Sequence, residues 1–381
     1  MTMTDVDAAD RDDRVRVLLL GAGKVVVDQH LPALESLRGR LRLVGVCDLD
    51  AGRAAAVAGP SAAWSGTDLD EALRVLRPDL VLVATPPDAR ADVVPRCLRA
   101  GAWVVCEKPP ARSLAELDVI AAAEADSGNP CSFIFQQRFG ATAQHLRQLV
   151  DDGTTGPLLA VTAQTLWFRD AAYYAAPWRG TWASEGGGTL LTLGIHVLDL
   201  ALWLAGGWTE VTALAASLER PIETDDLSGA VVRLAGGGLM TVVSSSVSPA
   251  QESRLRLDFR DVTVELVHLY TYGNAHWRVT AREGADPEVL QQFDCGVPDP
   301  VTQHAALLVA VLDARGNGTS PPCSGAQGRA ALELVTGIYA SALTGAVVRP
   351  GQLVPGHPFY ERLDGGLHPW PLSPTATGAG R

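Results

Sequence analysis

Lysine is nearly absent from this 381-residue chain: only Lys24 and Lys108 occur among its 31 basic residues, so the other 29 are arginine. A codon bias toward G and C would produce that skew. Surface charge is met here without lysine, so each lysine that remains calls for a chemical reason. There is no run of Lys/Arg either, and a net charge of −12 would be repelled by a phosphate backbone, which excludes nucleic acid as a partner. The six cysteines (Cys47, Cys97, Cys106, Cys131, Cys295, Cys323) form no CxxC pair and fall at irregular spacing, which suits neither a disulfide scaffold nor a thiolate metal site. They read as reduced thiols in a cytoplasm. No apolar run is long enough for a bilayer: the richest, Leu190 to Leu204, is interrupted by His196 and Asp199, so no membrane partner is expected. The first residues are acidic and polar where an export signal would be basic and then apolar.

What the chain does have is apolar material, 47% hydrophobic against 19% charged, and a length that suits two domains. From Val15 to about Cys131, short apolar runs alternate with helix-length amphipathic segments, the pattern of βαβ units. Strands are expected at Val15 to Leu20, Leu43 to Cys47, Leu80 to Ala84, Trp103 to Cys106 and Phe133 to Gln136. Helices should start near Asp28, Ala51, Asp68, Pro87 and Ser113, the last with Ser113 and Glu116 at capping-box spacing. Beyond Leu158, strand-like runs follow one another without crossover helices and should pair antiparallel: Leu158 to Phe168, Val211 to Leu218, Gly229 to Leu234, Leu239 to Ser246, Leu255 to Phe259. Helices Thr189 to Leu204 and Ala326 to Leu343 would cover one face. The expected fold is α/β, an N-terminal Rossmann parallel sheet (14–131) and a C-terminal α+β domain with a large, mainly antiparallel open-faced sheet (132–355), flanked by tails at 1–13 and 356–381.

The first expected strand runs into Gly21-Ala22-Gly23-Lys24-Val25-Val26 and then a helix, the context in which Gly21 allows a tight turn and Gly23 lets backbone N–H groups approach a pyrophosphate. Val26 stands where the strict GxGxxG fingerprint has its third glycine. Asp48 ends the second strand, where a carboxylate can accept both ribose hydroxyls of NAD and would repel the extra phosphate of NADP; Arg53, one turn on, softens that repulsion. Lys108 follows the strand WVVC, at the end of a parallel strand where such folds place ligands. Unlike arginine it can give up a proton, as an acid/base catalyst must.

These pieces, with Thr85-Pro86-Pro87, Glu107-Lys108-Pro109, Trp178-Arg179-Gly180 and the Gly186-Gly187-Gly188…Gly194-Ile195-His196-Val197-Leu198-Asp199 segment, resemble the glucose-fructose oxidoreductase / inositol dehydrogenase / rhizopine catabolism family (Gfo/Idh/MocA) over nearly the whole chain. The resemblance implies hydride transfer between a bound NAD (NADP possible) and a secondary alcohol or ketone of a sugar, nucleotide sugar or cyclitol. It implies Lys108 and His196 as catalytic residues, His196 exchanging the proton. Expected cofactor contacts are Gly21, Gly23, Lys24, Val25, Asp48, Thr85, Pro86, Glu107, Lys108, Trp178 and Arg179. Expected substrate contacts are Lys108, Arg138, Tyr174, Thr192 and His196. A homodimer or homotetramer through the C-terminal sheet is also implied. Eight histidines without HxH or HxxxH spacing give no case for a metal. Three positions depart from the family pattern: Val26, Arg90 where a histidine is common, and Thr192, where an aspartate usually stands one turn before the histidine. Thr192 can hydrogen-bond a hydroxyl but cannot hold a proton. Two other readings stay open: an NAD-dependent glycosidase working by oxidation and elimination, as in some members of the family, and a redox-inactive regulatory protein of the same fold, which Thr192 keeps alive.

Overall fold

In the computed structural model, residues 12–285 and 287–367 are described. The first sheet has six strands, β1 (Val15–Leu20), β2 (Leu41–Cys47), β3 (Trp64–Gly66), β4 (Leu80–Val83), β5 (Trp103–Cys106) and β6 (Cys131–Phe133). All pair parallel, in the order β3-β2-β1-β4-β5-β6, which is the doubly wound arrangement with its crevice between β1 and β4. A π-helical turn, Val26–His30, leads into α1 (Leu31–Ser36), and α2 (Ala51–Ala58), α3 (Leu69–Leu76), α4 (Pro87–Arg99) and α5 (Leu114–Ser127) complete the crossovers. Three of these helices begin on side-chain caps: Asp50, Asp68 and Ser113 each accept from a backbone N–H three residues on.

A sheet buried on both faces needs apolar residues on both sides of each strand, which is why its strands read as unbroken runs. In β1, Val17 and Leu19 pack with α1 and α2, while Leu18 and Leu20 face α3 and α4 on the other side; all four are buried. The face holding Val17 and Leu19 is completed from far along the chain. Leu307, Leu308, Val311 and Leu312 lie on a helix at Gln303–Asn317 and belong to this cluster, not to the second sheet. The first layer is therefore built from both ends of the sequence, and a division at residue 131 does not separate its parts.

The second half begins with α6 (Ala141–Asp151) and forms a seven-stranded sheet from β7 (Leu158–Phe168), β8 (Trp208–Ala216), β9 (Leu227–Leu234), β10 (Leu239–Ser245), β11 (Val247–Phe259), β12 (Val262–His268) and β13 (Trp277–Ala281). The order is β13-β12-β11-β7-β10-β9-β8, antiparallel except where β10 runs parallel to β7. A short α7 (Ala171–Tyr174) follows β7. A second π-helical turn, Leu190–Gly194, leads into α8 (Ile195–Ala205), and α9 (Gln303–Asn317), α10 (Gly325–Thr344) and α11 (Pro358–Glu361) follow. Helices α8 and α10 cover one face of this sheet. The other face carries exposed Leu214, Val231 and Leu239.

Several expectations need correcting. The strand expected at Phe133 to Gln136 lies earlier, at Cys131–Phe133, because Gln136–Phe139 turns into a 3-10 helix. The segment after residue 355 is no tail as far as it is described. Phe359, Tyr360 and Leu363 are buried, and Arg329 holds both the Tyr360 hydroxyl and the Asp118 carboxylate. The expected tail at 1–13 lies outside the described residues up to residue 11.

Leu308 is 1% exposed in the first-sheet cluster although it lies 170 residues beyond that half of the chain. Leu308→Ala should cost about 2–5 kcal/mol, read as a lower urea midpoint for the whole protein. A loss below about 1 kcal/mol would mean that α9 does not complete that core.

Candidate active site

Gly21 has φ +100, and a Cβ there would come within 2.7 Å of the Ala84 carbonyl oxygen, so only glycine lets the chain turn between β1 and β4. At Gly23 a Cβ would meet no protein atom within 4 Å. The loop thus presents bare backbone at the mouth of the crevice, ahead of a helical run, as a pyrophosphate cradle requires. The Asp48 carboxylate is pushed up by burial, but donation from the backbone of Asp50, from Arg53 and from the backbone of Ala22 outweighs this and holds it below the usual carboxylate range. One of its oxygens therefore pins the glycine loop at Ala22 N–H, 2.7 Å away, and the other carries Arg53. Lys24 points to solvent and pairs with Asp28 at 2.6 Å; Val25 is half-buried beside it. The residues present fit a dinucleotide.

Thr85 and Pro86 follow β4. Arg90, buried on α4, donates to the Thr85 carbonyl and to the carbonyls of Glu107 and Pro109, so one guanidinium ties the ends of β4 and β5 together. The Thr85 hydroxyl is buried with no partner among the described residues. At the end of β5, the Glu107 carboxylate accepts from the Lys108 backbone N–H at 3.1 Å and lies 2.9 Å from His30 Nε2, with His304 Nε2 at 3.9 Å. Burial would raise this carboxyl, yet the His30 hydrogen bond and the charges around it hold it down at about 2. Sequence spacing gives no hint of the His30–Glu107–His304 cluster, because its members lie on three distant segments. Their potential ligand atoms lie within 4.8 Å of one another. With His30 Nε2 already at hydrogen-bond distance from Glu107, the cluster reads as an anchor for the loop that carries Lys108.

Lys108 Nζ donates to the Thr192 carbonyl at 2.8 Å. That carbonyl belongs to the second π-helical turn, so the lysine bridges the two halves of the protein. Burial lowers the Lys108 pKa to about 8; Glu107 opposes the shift, and the nearby charges of Arg179 and Arg90 add to it. His196, on the first turn of α8, is 2% exposed, and neither imidazole nitrogen has a partner among the described residues. Burial, reinforced by the Lys108 charge, pushes it well below the usual histidine range. A neutral imidazole with two free nitrogens next to an ammonium can take a proton from a hydroxyl that the ammonium polarises.

The Thr192 hydroxyl turns back on its own helix and donates to the Gly188 carbonyl at 2.9 Å, so it keeps only acceptor capacity. Asp225 fastens the glycine run that precedes it, accepting from Gly188 N–H and from Tyr339 Oη, and a Cβ at Gly188 would collide with it at 2.1 Å.

Arg138, expected beside the substrate, is engaged by Asp199, one turn beyond His196 on α8. Its guanidinium grips Asp199 with two hydrogen bonds, at 2.7 and 2.5 Å, and also holds Gln327. Both partners of the pair are buried, and four of the five guanidinium N–H donors are taken up by Asp199 and Gln327. Tyr174 donates to Ser246 at 3.0 Å. Arg179 lies between Tyr173 and Trp178, 3.8 and 4.1 Å from their ring centres, and reaches Glu185 at 2.8 Å. Trp182 packs into the core against Tyr339. Two residues near His196 escape sequence reasoning altogether: Tyr270, whose ring lies 5.4 Å from the imidazole, and Gln136, whose amide lies 3.5 Å from the Tyr270 hydroxyl.

The sequence and the fold both have relatives among known proteins. Residues 15–135 match the model of the oxidoreductase family with an NAD-binding Rossmann fold, and residues 143–265 match the GFO/IDH/MocA C-terminal domain. The chain is 26% identical to D-glucoside 3-dehydrogenase of Escherichia coli (strain K12), over 88% of this chain and 97% of that protein. It is 35% identical to inositol 2-dehydrogenase 2 of Paenarthrobacter aurescens (strain TC1), over 60% of this chain and 68% of that protein. Among solved structures, the WlbA dehydrogenase of Bordetella pertussis, determined with NADH and UDP-GlcNAcA, superposes with a TM-score of 0.78 at 25% identity, covering 89% of this chain and 98% of that one. A Rossmann sheet, a glycine loop closed by Asp48, a lysine at the end of β5 and full-length relatives lead to one conclusion: this chain belongs to the Gfo/Idh/MocA family of NAD-dependent oxidoreductases.

Proposed function

We propose that the protein oxidises a secondary alcohol of a sugar, nucleotide sugar or cyclitol, or reduces the matching ketone, with Lys108 and His196 handling the proton. The observation that carries this reading is the Lys108 ammonium held on the Thr192 carbonyl beside an imidazole whose two nitrogens are unpartnered. NAD, when bound, exchanges a hydride with the substrate carbon. Gly21, Gly23 and Asp48 would hold it across the β1–β4 crevice, with Thr85, Pro86 and Glu107 at the strand ends beside it. In the oxidative direction Lys108 Nζ donates to the carbinol oxygen and stabilises its developing negative charge, while a nitrogen of His196 accepts the hydroxyl proton. Arg90 and Glu107 hold the lysine loop in place and touch no substrate. The substrate class follows the relatives named above, and the outer face of the second sheet, with Leu214, Val231 and Leu239, is the surface on which a second copy would dock. Six free thiols suit a reducing cytoplasm.

Asp48 and Arg53 set the choice of cofactor. Asp48 disfavours a 2′-phosphate, and Asp48→Ser would release Arg53 to meet one. Calorimetric titration of the variant should show the ratio of NAD to NADP affinity falling about tenfold or more. An unchanged ratio would remove Asp48 from ribose recognition.

The pH dependence separates the two catalytic groups. Lys108 must be protonated, and with its pKa lowered to about 8 the rate of alcohol oxidation should fall as pH rises through 8. His196 must be neutral, and because its pKa is depressed the acid limb should lie well below pH 6.5. Lys108→Arg should abolish the alkaline limb and lower turnover by about 10²-fold with an unchanged melting curve. Thr192→Asp should move the acid limb upward by stabilising the imidazolium. His196→Asn that turns over at the wild-type rate with the same profile would remove His196 from the mechanism.

A further inference from the structure

The orientation of a histidine that moves protons is ordinarily fixed by a hydrogen bond to its second nitrogen. His196 has none among the described residues. What it has is a ring contact: Tyr270, on the loop after β12, stands edge-on to the imidazole with centres 5.4 Å apart and planes at 86°. Tyr270 is itself held. Trp167 packs on its ring at 6.0 Å, and Gln137 Nε2 donates to its carbonyl oxygen at 3.3 Å. Its hydroxyl oxygen lies 3.5 Å from Gln136 Nε2, a long hydrogen bond.

Gln136 is 1% exposed, and its Oε1 has no partner. Turning the amide over does not help, since one end then meets Tyr270 and the other is still unmatched. A buried amide left unmatched costs about 1–3 kcal/mol. Unmatched polar atoms therefore flank Tyr270: the two His196 nitrogens across the ring contact, and the far end of the Gln136 amide that meets its hydroxyl. A simple alcohol would engage only one of them. A substrate with a second hydroxyl on the carbon next to the carbinol would engage the others as well.

We propose that Gln136 and Tyr270 form a subsite for the hydroxyl adjacent to the reacting carbinol, and so are specificity-determining residues of this site. This rests on the reading of His196 as the proton acceptor. Gln136 accepts from, or donates to, that second hydroxyl. Tyr270 shares it through its own hydroxyl and holds the imidazole by its edge-on ring contact. Neither residue is charged, so the subsite selects by hydrogen-bond count and leaves the proton chemistry to Lys108 and His196. Both residues come from segments that the sequence pattern does not connect: Gln136 just after the first sheet, Tyr270 from an outer hairpin of the second.

The test compares a vicinal diol with its deoxy counterpart. Wild type, Gln136→Leu and Tyr270→Phe are assayed for NADH formation with methyl β-D-glucopyranoside and myo-inositol, and then with the deoxy form of whichever is oxidised, lacking the hydroxyl next to the reacting carbon. Each variant should lose about 10- to 100-fold in kcat/KM on the diol, mostly through KM, and little on the deoxy compound. Tyr270→Phe keeps the ring contact, so its pH profile should match wild type, whereas Tyr270→Ala should also lower kcat. NADH affinity, measured on the same preparations, should not move in any variant, and the melting temperature of Tyr270→Phe should match wild type. An equal loss on diol and deoxy substrates, or no loss on either, overturns the subsite while leaving the oxidoreductase reading intact. A wild-type enzyme that binds NADH but oxidises none of the polyols overturns the substrate reading, and this subsite with it.

Discussion

One buried carboxylate, that of Glu107, holds together the parts on which everything else depends. At 4% exposure it would be costly to ionise, yet it stays ionised because the His30 hydrogen bond, the Lys108 backbone N–H and the Lys108 ammonium surround it. Through His30 it fixes the helix that follows the glycine loop. Through the Lys108 amide it fixes the end of β5, and through His304 it meets α9, the helix that closes the first core from the far end of the chain. A substitution that left the two histidines facing an apolar side chain would strand buried polar groups on three segments at once. Arg90 works from the other side, on the carbonyls, so the lysine loop is gripped at both its acceptors and its donors. Lys108 can then reach across to the Thr192 carbonyl in the other half without its backbone giving way.

Much of the first half is legible in the sequence because a parallel sheet buried on both faces needs continuous apolar strands, and βα turns need their caps. Strands β1 and β5 fall where the runs VRVLLL and WVVC put them. The second half is harder to read. β12 mixes Glu265 and His268 into its apolar residues, and β13, WRVTA, alternates half-buried with exposed positions and carries an arginine, so neither stands out as a run. Helix α9 is helical in pattern, but nothing local says that it lies on a sheet whose last strand ended at Phe133, 170 residues earlier. The aromatic pair Phe359-Tyr360 sits among prolines and glycines that read as a tail, and only its docking on Arg329 and Asp118 gives it structure.

The site divides the same way. Lys108 is legible from residue type, since a lone lysine in an arginine chain at a strand end needs a reason, and His196 from the motif around it. Arg138 reads equally well as a ligand contact and as half of an ion pair; Asp199, 61 residues on, decides for the ion pair. Gln136 and Tyr270 carry no signal, because a glutamine and a tyrosine become informative only once their neighbours are known.

The two π-helical turns, Val26–His30 and Leu190–Gly194, open the two helices that face the site. Each accommodates one residue more than an α-helical turn would, and in an α-helix one residue is worth about 100° of rotation. The extra residue lets His30 and His196 face inward while the helices beyond keep their core faces against the sheets. The first such turn starts at Val26, fully buried where the dinucleotide fingerprint has glycine, so the wider turn takes a side chain that a regular helix would press against the strand. Loss of a single residue from either segment would leave composition and apolar pattern almost untouched. It would nonetheless turn His30 away from Glu107 or His196 away from Tyr270, so the length of these two turns carries as much information as the identity of the residues in them.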